Sequence, residues 1–385
     1  MFLILATAFL DILGIGILIP VLPDIISHFG VSEAWNPYSQ GIYSIGMFAG
    51  GLVFGRLSDK YGRKNLLSVT TSFNLLGYII LYFSLSSGII SADMAILFII
   101  FLAARFVSGL GGAGLGVAQA YISDISTPTT KTKNMGMIGA AFGLAFLIGP
   151  AIGGLLSHWG IEYVILGCII AITTNLVLIL MVIREPNKHE KEMHGHNVPF
   201  RFSQLMIILF ILSFGGTLAF SSIQSGSSQF YRDIYGFSTN QIGYTLSLVG
   251  LIAIIYQGGI IGFVRRALTE IQMIQVAVGL MTVSLFLFAI NRNVYLLFPI
   301  IALFPIAMGT FQPAINSLIA EKAGKEVGKV MGYNTSVISV ASIIGPFIVG
   351  TLYVMNYSLP FYVSTGIAFI LFIVAILGLK QQILK

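Results

Sequence analysis

The chain has 385 residues, of which 56% are hydrophobic and only 9% are charged, and its mean hydropathy is +0.93. A soluble protein of this length could not cover so much apolar surface with so few charged side chains. Nor does the sequence show the alternating ~10-residue strands of a membrane barrel. The net charge of +6 reflects membrane topology rather than nucleic-acid binding, because the basic residues are unevenly distributed along the chain.

The apolar runs predict an all-α integral membrane protein with twelve transmembrane helices, since one span needs ~20 apolar residues. The longest polar break, Arg184–Arg201, separates six spans from six. We therefore predict an N-terminal six-helix bundle over 1–183, a cytoplasmic linker over 184–202 and a C-terminal six-helix bundle over 203–385. The predicted spans are 2–27, 38–57, 66–87, 94–121, 135–157, 160–183, 203–228, 240–264, 270–290, 295–319, 330–354 and 359–380.

The orientation follows from the distribution of Lys and Arg. With the N-terminus inside the cell, seventeen of the twenty basic residues fall in cytoplasmic segments, and only Arg232 and Arg292 fall in outer loops. This is a strong positive-inside signal. It predicts a multi-pass protein of the plasma or inner membrane with both termini in the cytoplasm.

The first span contains Asp11, the only acid placed well inside an apolar run. A carboxylate in hydrocarbon must pair with a cation or take up a proton. Either Asp11 is a proton-coupling residue or it forms a fixed structural contact. Arg105, inside the fourth span, is its obvious partner, although it could instead extend to the outer surface of the membrane.

A charged segment, Gly55–Leu66, follows the second span, and Gly62 and Arg63 lie within it. Its composition places it at a membrane surface, and the topology places that surface on the cytoplasmic side. We expect Asp59 to accept hydrogen bonds from Arg63, with Asp124 at the same face within reach.

The fifth span contains Gly149, Pro150, Gly153 and Gly154. Proline kinks a helix, and glycine lets a neighbouring helix approach closely. Gly345-Pro346 repeats this pattern 196 residues later, which indicates two similar halves.

The second half offers polar groups without charge inside its spans. They are candidates for lining a substrate cavity together with one residue of the fifth span, although each alone is also compatible with helix packing. The candidates are Phe142, Ser221, Gln224, Gln257, Gln312, Asn316 and Asn334. His189, His194 and His196 in the linker fit a solvated loop better than a metal site, so no metal is predicted.

Taken together, these motifs resemble a known family. Gly55–Lys64 is similar to the loop signature of the major facilitator superfamily. Leu13–Pro23, Arg105 with Gly109, and Gly149–Gly154 resemble signatures of its twelve-span drug:proton antiporters. Phe9–Gly16 and Ala120–Ile125 are most similar to tetracycline and quinolone exporters.

The resemblance implies the major facilitator fold and alternating access by two six-helix bundles. It implies a cytoplasmic gate of Gly55, Asp59, Gly62, Arg63 and Asp124, and a proton-handling role for Arg105. The fifth-span motif is associated with antiporters, which favours export.

The chain also departs from these exporters. Tetracycline exporters carry acids in the third and ninth spans, where this chain has Asn74 and an acid-free segment, Ala277–Phe288. Quinolone exporters carry acids in the seventh and tenth spans, where this chain is neutral. The departures favour a neutral, zwitterionic or amphipathic substrate over metal-tetracycline.

The sequence thus predicts a secondary active transporter, a proton-coupled exporter of small amphipathic compounds such as drugs. We expect a monomer that uses the proton gradient and no cofactor, and that is not an enzyme, because no catalytic constellation is present. Two alternatives stay open: a metabolite uniporter or importer, and a lipid or glycolipid flippase.

Overall fold

A computed structural model of the chain describes residues 2–85, 93–127, 130–185 and 203–380, and within these ranges every long element is a helix. Twelve helices follow one another along the chain. They are α1 Phe2–His28, α2 Trp35–Tyr61, α3 Arg63–Leu85, α4 Met94–Asp124, α5 Lys131–Leu156, α6 Ile161–Met181, α7 Gln204–Tyr235, α8 Thr239–Ala267, α9 Glu270–Ile290, α10 Val294–Ala323, α11 Val327–Met355 and α12 Leu359–Lys380.

Each predicted span coincides with one of these helices. The largest difference lies at the end of α7, which was predicted to end at residue 228 and continues to Tyr235. In the described part of the chain, eleven of the helices are long and apolar enough to cross a membrane. The exception is α2, a helix of 27 residues. Its first turn is polar, and its last turns contain the first part of the charged Gly55–Leu66 segment.

Three helices contain local irregularities. A short 3₁₀ turn, Ile19–Val21, interrupts α1 at Pro20, because proline cannot donate the backbone hydrogen bond of a regular helix. One residue, Ala113, breaks the regular pattern of α4. A π turn, Tyr256–Ile260, lies within α8, a feature that is frequent at functional sites.

Contacts divide the chain into two compact units, hereafter the first and second units. The first comprises residues 1–193 and 236–251, and the second comprises residues 194–235 and 252–385. The predicted division into bundles over 1–183 and 203–385 remains a prediction. Most of the predicted linker, including the three histidines, lies outside the described residues.

Each unit has its own apolar core. In the first unit, Ile17 and Leu18 of α1 pack with Phe101 of α4 and Ile165 of α6. These buried residues fix α1 against its neighbours, and α1 carries Asp11. The packing of this core therefore determines which side chains surround that acid.

Candidate functional site

Asp11 is surrounded by neutral amides. Its carboxylate faces the side chains of Asn74 on α3 and Asn175 on α6. Both asparagines are buried, at 1% and 0% exposure, whereas Asp11 as a residue is only partly buried. A carboxylate in such a position interacts with dipoles instead of a counter-charge, and its partial exposure leaves it within reach of water.

Several polar atoms around Asp11 lack a hydrogen-bond partner within the described residues. They are the Oδ1 atoms of Asp11 and Asn74 and both side-chain polar atoms of Asn175. Buried polar groups in native proteins are nearly always satisfied, so a cluster of unsatisfied groups is unusual and needs a functional explanation. An unpaired polar group in a low-dielectric interior is costly, so these atoms are open to an added proton or water.

Arg105 lies in the same unit and is 3% exposed. One guanidinium nitrogen, Nη2, donates a 2.9 Å hydrogen bond to Oε1 of Gln40 on α2. The guanidinium carbon lies 4.9 Å from the ring centroid of Tyr43, within the range of a cation–π contact. Its Nε atom is buried and has no hydrogen-bond partner in the described part of the chain.

The expected pair between Asp11 and Arg105 is therefore wrong as a direct contact. The rise per residue of a helix predicts the depth of Asp11 and Arg105 in the membrane but not the direction in which each side chain points. In the structure the two side chains contact different partners. Tyr43 interacts electrostatically with both of them. Its hydroxyl is buried and has no hydrogen-bond partner among the described residues, and no sequence motif identified it.

Glycines bring α2 and α4 close enough for this arrangement. A Cβ atom on Gly109 would lie 2.2 Å from the Tyr43 carbonyl oxygen, and one on Gly112 would lie 2.2 Å from the Tyr43 hydroxyl. Side chains at these positions would displace the tyrosine from beneath Arg105. Gly116, further along α4, meets nothing within 4 Å.

A second group, the Arg63 cluster, joins the second and third helices to the end of the fourth and comprises Ser58, Asp59, Arg63, Asp124 and Glu185. Arg63 donates to Oδ1 of Asp59 at 2.7 Å and to Oδ2 of Asp124 at 2.8 Å. Its side chain is 9% exposed, and those of Asp59 and Asp124 are 53% and 20% exposed. The expected Arg63–Asp59 contact is thus present, but the Asp124 contact is better shielded from solvent.

Glu185 completes the Arg63 cluster and was missed by sequence reasoning, which assigned it to the linker. Its carboxylate accepts hydrogen bonds from the backbone N–H groups of Arg63 and Lys64 and so caps the first turn of α3. Gly62 makes room for it, because a Cβ there would lie 2.8 Å from that carboxylate, and its φ of +97° favours glycine. Gly55, in contrast, meets nothing within 4 Å.

The glycines of α5 lie directly against α1. A Cβ on Gly149 would come within 2.9 Å of the Cα of Gly16, and one on Gly153 within 2.1 Å of the carbonyl oxygen of Ile17. Gly154 faces Asn240 of α8 instead. Pro150 lies inside α5, which continues through it.

The candidate cavity residues fall into two groups by burial. Ser221 is 1% exposed, donates a hydrogen bond to the carbonyl oxygen of Thr217 and packs against Gly345. Asn334 is also 1% exposed and donates a hydrogen bond to the side chain of Asn316. Ser221 and Asn334 therefore contribute to packing between and within helices. Gln224, Gln257 and Phe142 are exposed, and Gln312 is partly buried. The Phe142 ring stacks on that of Phe146, with ring centroids 5.5 Å apart.

Comparison with known proteins agrees with this architecture. The family model of the Major Facilitator Superfamily matches residues 4–346 and, again, 272–382. The chain is 27% identical to multidrug resistance protein 1 of Bacillus subtilis, covering 94% of this chain and 92% of that protein. It is 28% identical to the class C tetracycline resistance protein of Escherichia coli, covering 92% and 90%.

Solved structures share the fold at lower identity. The structure of a D-xylose-proton symporter superimposes with a TM-score of 0.80 at 14% identity, covering 97% of both chains. The human organic anion transporter MFSD10 gives a TM-score of 0.75 at 19% identity, covering 97% of this chain and 98% of that one. The chain is a multi-pass membrane protein that belongs to the Major Facilitator Superfamily.

Proposed function

We propose that the protein is a proton-coupled exporter of small amphipathic compounds that works by alternating access. The relatives named multidrug and tetracycline resistance proteins, which match along almost the whole chain, support this substrate class and direction. The distribution of Lys and Arg supports cytoplasmic termini in a plasma or inner membrane. The family's known members named here are transporters, and a transport role requires no catalytic centre.

The observation that carries the proposal is Asp11 without a counter-cation. Among the described residues, no basic group forms an ion pair with it, and its neighbours are the amides of Asn74 and Asn175. A membrane carboxylate that is not neutralised by a fixed cation can be neutralised by a proton. Asp11 is thus suited to bind a proton in one state and release it in another.

Arg105 and Tyr43 connect this proton site to the rest of the unit. A buried guanidinium without an acidic partner is costly, so its position is sensitive to any nearby negative charge. When Asp11 is ionised, Arg105 is attracted towards it, and protonation removes that attraction. Tyr43, which interacts with both groups, lies where such a change would be transmitted.

The Arg63 cluster has a different role in this proposal. At the cytoplasmic ends of α2, α3 and α4 it holds three chain segments together through charge-assisted hydrogen bonds. We assign it to the cytoplasmic gate, as a latch. In this proposal the protein works as a monomer, and the proton gradient supplies the energy.

The proposal is tested by uptake into inverted membrane vesicles with an imposed pH gradient, using a panel of amphipathic dyes and neutral metabolites. Wild-type vesicles should accumulate a dye when their lumen is acidified, and Asp11→Asn and Arg105→Ala vesicles should not. Asp93→Asn is the matched control, because Asp93 is exposed and makes no side-chain cap at the start of α4. Equilibration of a metabolite without any gradient would contradict the proposal and indicate a uniporter.

A further inference from the structure

A surface cavity lies at the end of the second unit where α8 ends and α9 begins. Its volume is about 390 Å³, and its lining comes from the α8–α9 connection and from α10. The residues that matter for its chemistry are Arg265, Arg266, Thr269, Glu270, Pro313 and Ser317. None of them belongs to the proton site or to the Arg63 cluster.

Among the residues that the structure describes, Arg265 and Arg266 lack an acidic partner. Both are exposed, and neither forms an ion pair with a carboxylate of the described chain, Glu270 of the same lining included. In the corresponding loop of the first half, Arg63 is held by two aspartates. The first-half loop also exposes Arg56, but Arg265 and Arg266 are adjacent in sequence and both line a surface cavity that is open to an external anion.

The start of α9 adds to the positive character of the cavity. Thr269 is the N-cap residue, and it accepts a hydrogen bond from the backbone N–H of Gln272 in a capping box. The positive end of the helix dipole therefore lies at the cavity wall. Two guanidinium groups and this helix end outweigh the single carboxylate of Glu270.

An apolar strip adjoins the arginines along the end of α8. Phe263 is 70% exposed and Ile260 is 47% exposed, and Ile261–Ala267 contains no buried residue. The guanidinium of Arg266 lies 5.9 Å from the centroid of the Phe263 ring. A cationic cavity and an exposed apolar strip thus meet at one edge of the membrane-spanning region.

We propose that this cavity binds the phosphate headgroup of an anionic phospholipid, whose acyl chain lies along Phe263 and Ile260. The planar guanidinium groups of Arg265 and Arg266 suit a phosphate, to which arginine donates in pairs. A soluble phosphate compound would satisfy the arginines but not the apolar strip. In the topology proposed above this is the cytoplasmic face, where basic residues between helices recognise anionic lipids.

The test uses the purified full-length protein in detergent, with phosphatidylglycerol as the probe and phosphatidylcholine as the neutral comparison. Retained lipid is counted by native mass spectrometry during titration. Each of Arg265→Gln and Arg266→Gln should weaken phosphatidylglycerol binding roughly fivefold, since one basic residue near a membrane surface contributes ~1 kcal/mol. Lys329→Gln is the matched control, because Lys329 is exposed but does not line the cavity.

Two further arms make the outcome decisive. The double variant Arg265→Lys/Arg266→Lys keeps the charge but removes the paired guanidinium donors, so it should bind more tightly than the glutamine variants and more weakly than the wild type. Soluble glycerol phosphate should compete weakly, because it lacks the acyl chain. Equal retention of phosphatidylglycerol by wild type, Arg265→Gln and Lys329→Gln would overturn the proposal. Binding of glycerol phosphate as tightly as phosphatidylglycerol would also overturn it. Lipid binding is measured without transport, so its failure is separable from failure of the proposed export.

Discussion

Two arginines of the first unit show how differently a buried guanidinium can be accommodated. Arg63 donates to two carboxylates and to the Ser58 hydroxyl, so its charge is balanced. Arg105 has one amide oxygen and one aromatic ring. A balanced arginine holds structure together, whereas an unbalanced one in a low-dielectric setting responds to small changes of nearby charge. The contrast supports the proposed roles of Arg63 as a latch and of Arg105 in proton coupling.

The Arg63 cluster gives a prediction that ranks two aspartates. Asp124→Asn should impair transport more than Asp59→Asn, because the Asp124 side chain is 20% exposed and that of Asp59 is 53% exposed. An exposed ion pair contributes under ~1 kcal/mol, and shielding from water strengthens it. Initial transport rates, normalised to the amount of inserted protein, would test this ranking. Equal rates for the two variants would contradict the assignment.

Tyr43 gives a sharper prediction. Tyr43→Phe keeps the ring beneath Arg105 and removes only a hydroxyl that has no hydrogen-bond partner in the described chain. Stability should therefore be unchanged or slightly higher. Because Tyr43 interacts with both Asp11 and Arg105, we expect gradient-driven transport to fall and its pH profile to shift, while exchange of substrate without a gradient persists. An unchanged pH profile would limit Tyr43 to positioning Arg105.

At this scale the sequence predicted some residues and not others. The Arg63–Asp59 contact was predictable, because a spacing of four residues and a charged segment at a membrane edge restrict the partners. Glu185 was not, because it lies 122 residues from Arg63 and follows a span in a polar segment. The direct Asp11–Arg105 pair was wrong because depth along a helix leaves its rotation undetermined.

Among the helices, the contact of α1 with α5 depends on small residues at two levels. Gly16, Gly149 and Gly153 replace side chains by direct backbone contact, and Ile17 and Pro20 fill the remaining space. Without a strong hydrophobic force between helices in lipid, such close packing is what holds them together. Because α1 carries Asp11, this contact also fixes the position of Asp11 along the helix bundle.

A matched pair of glycines in α5 tests that conclusion. Gly153→Ala would place a methyl group 2.1 Å from the Ile17 carbonyl oxygen, whereas Gly139→Ala meets nothing within 4 Å. We expect Gly153→Ala to lower the free energy of unfolding by ~1–3 kcal/mol, the usual cost of overpacking, and Gly139→Ala to leave it nearly unchanged. Thermal melting in one detergent would measure both. Similar melting temperatures for the two variants would show that α1 does not depend on close approach at Gly153.

Helix positions were easier to predict than helix ends. Apolar runs between charged loops located all twelve helices, because the bilayer sets their length. The end of α7 was predicted seven residues too early, since hydropathy falls at Gln229 while the helix continues to Tyr235. There Asp233 accepts hydrogen bonds from Gln229 and Tyr353, so polar contacts within the protein sustain the last turns.

For the whole molecule, the two units differ in chemistry. The first unit holds the buried arginine, the membrane carboxylate and the Arg63 cluster, whereas the helices of the second half offer serine, glutamine and asparagine. This asymmetry fits the proposal that the first unit couples transport to protons and that neutral polar groups of the second half select the substrate. Sequence repeats and topology predicted the two halves, but a single sequence does not contain the substrate's identity.

The central claim is that the protein exchanges substrate for a proton in opposite directions and that Asp11 binds the proton. It is tested most directly in proteoliposomes containing purified protein and a trapped pH dye, with substrate added on one side and no imposed gradient. Wild-type protein should carry protons against the substrate and change the luminal pH, and Asp11→Asn should move substrate, if at all, without a pH change. A pH change in Asp11→Asn as large as in wild type would contradict the assignment of the proton site, and substrate movement without any pH change in wild type would contradict proton coupling itself.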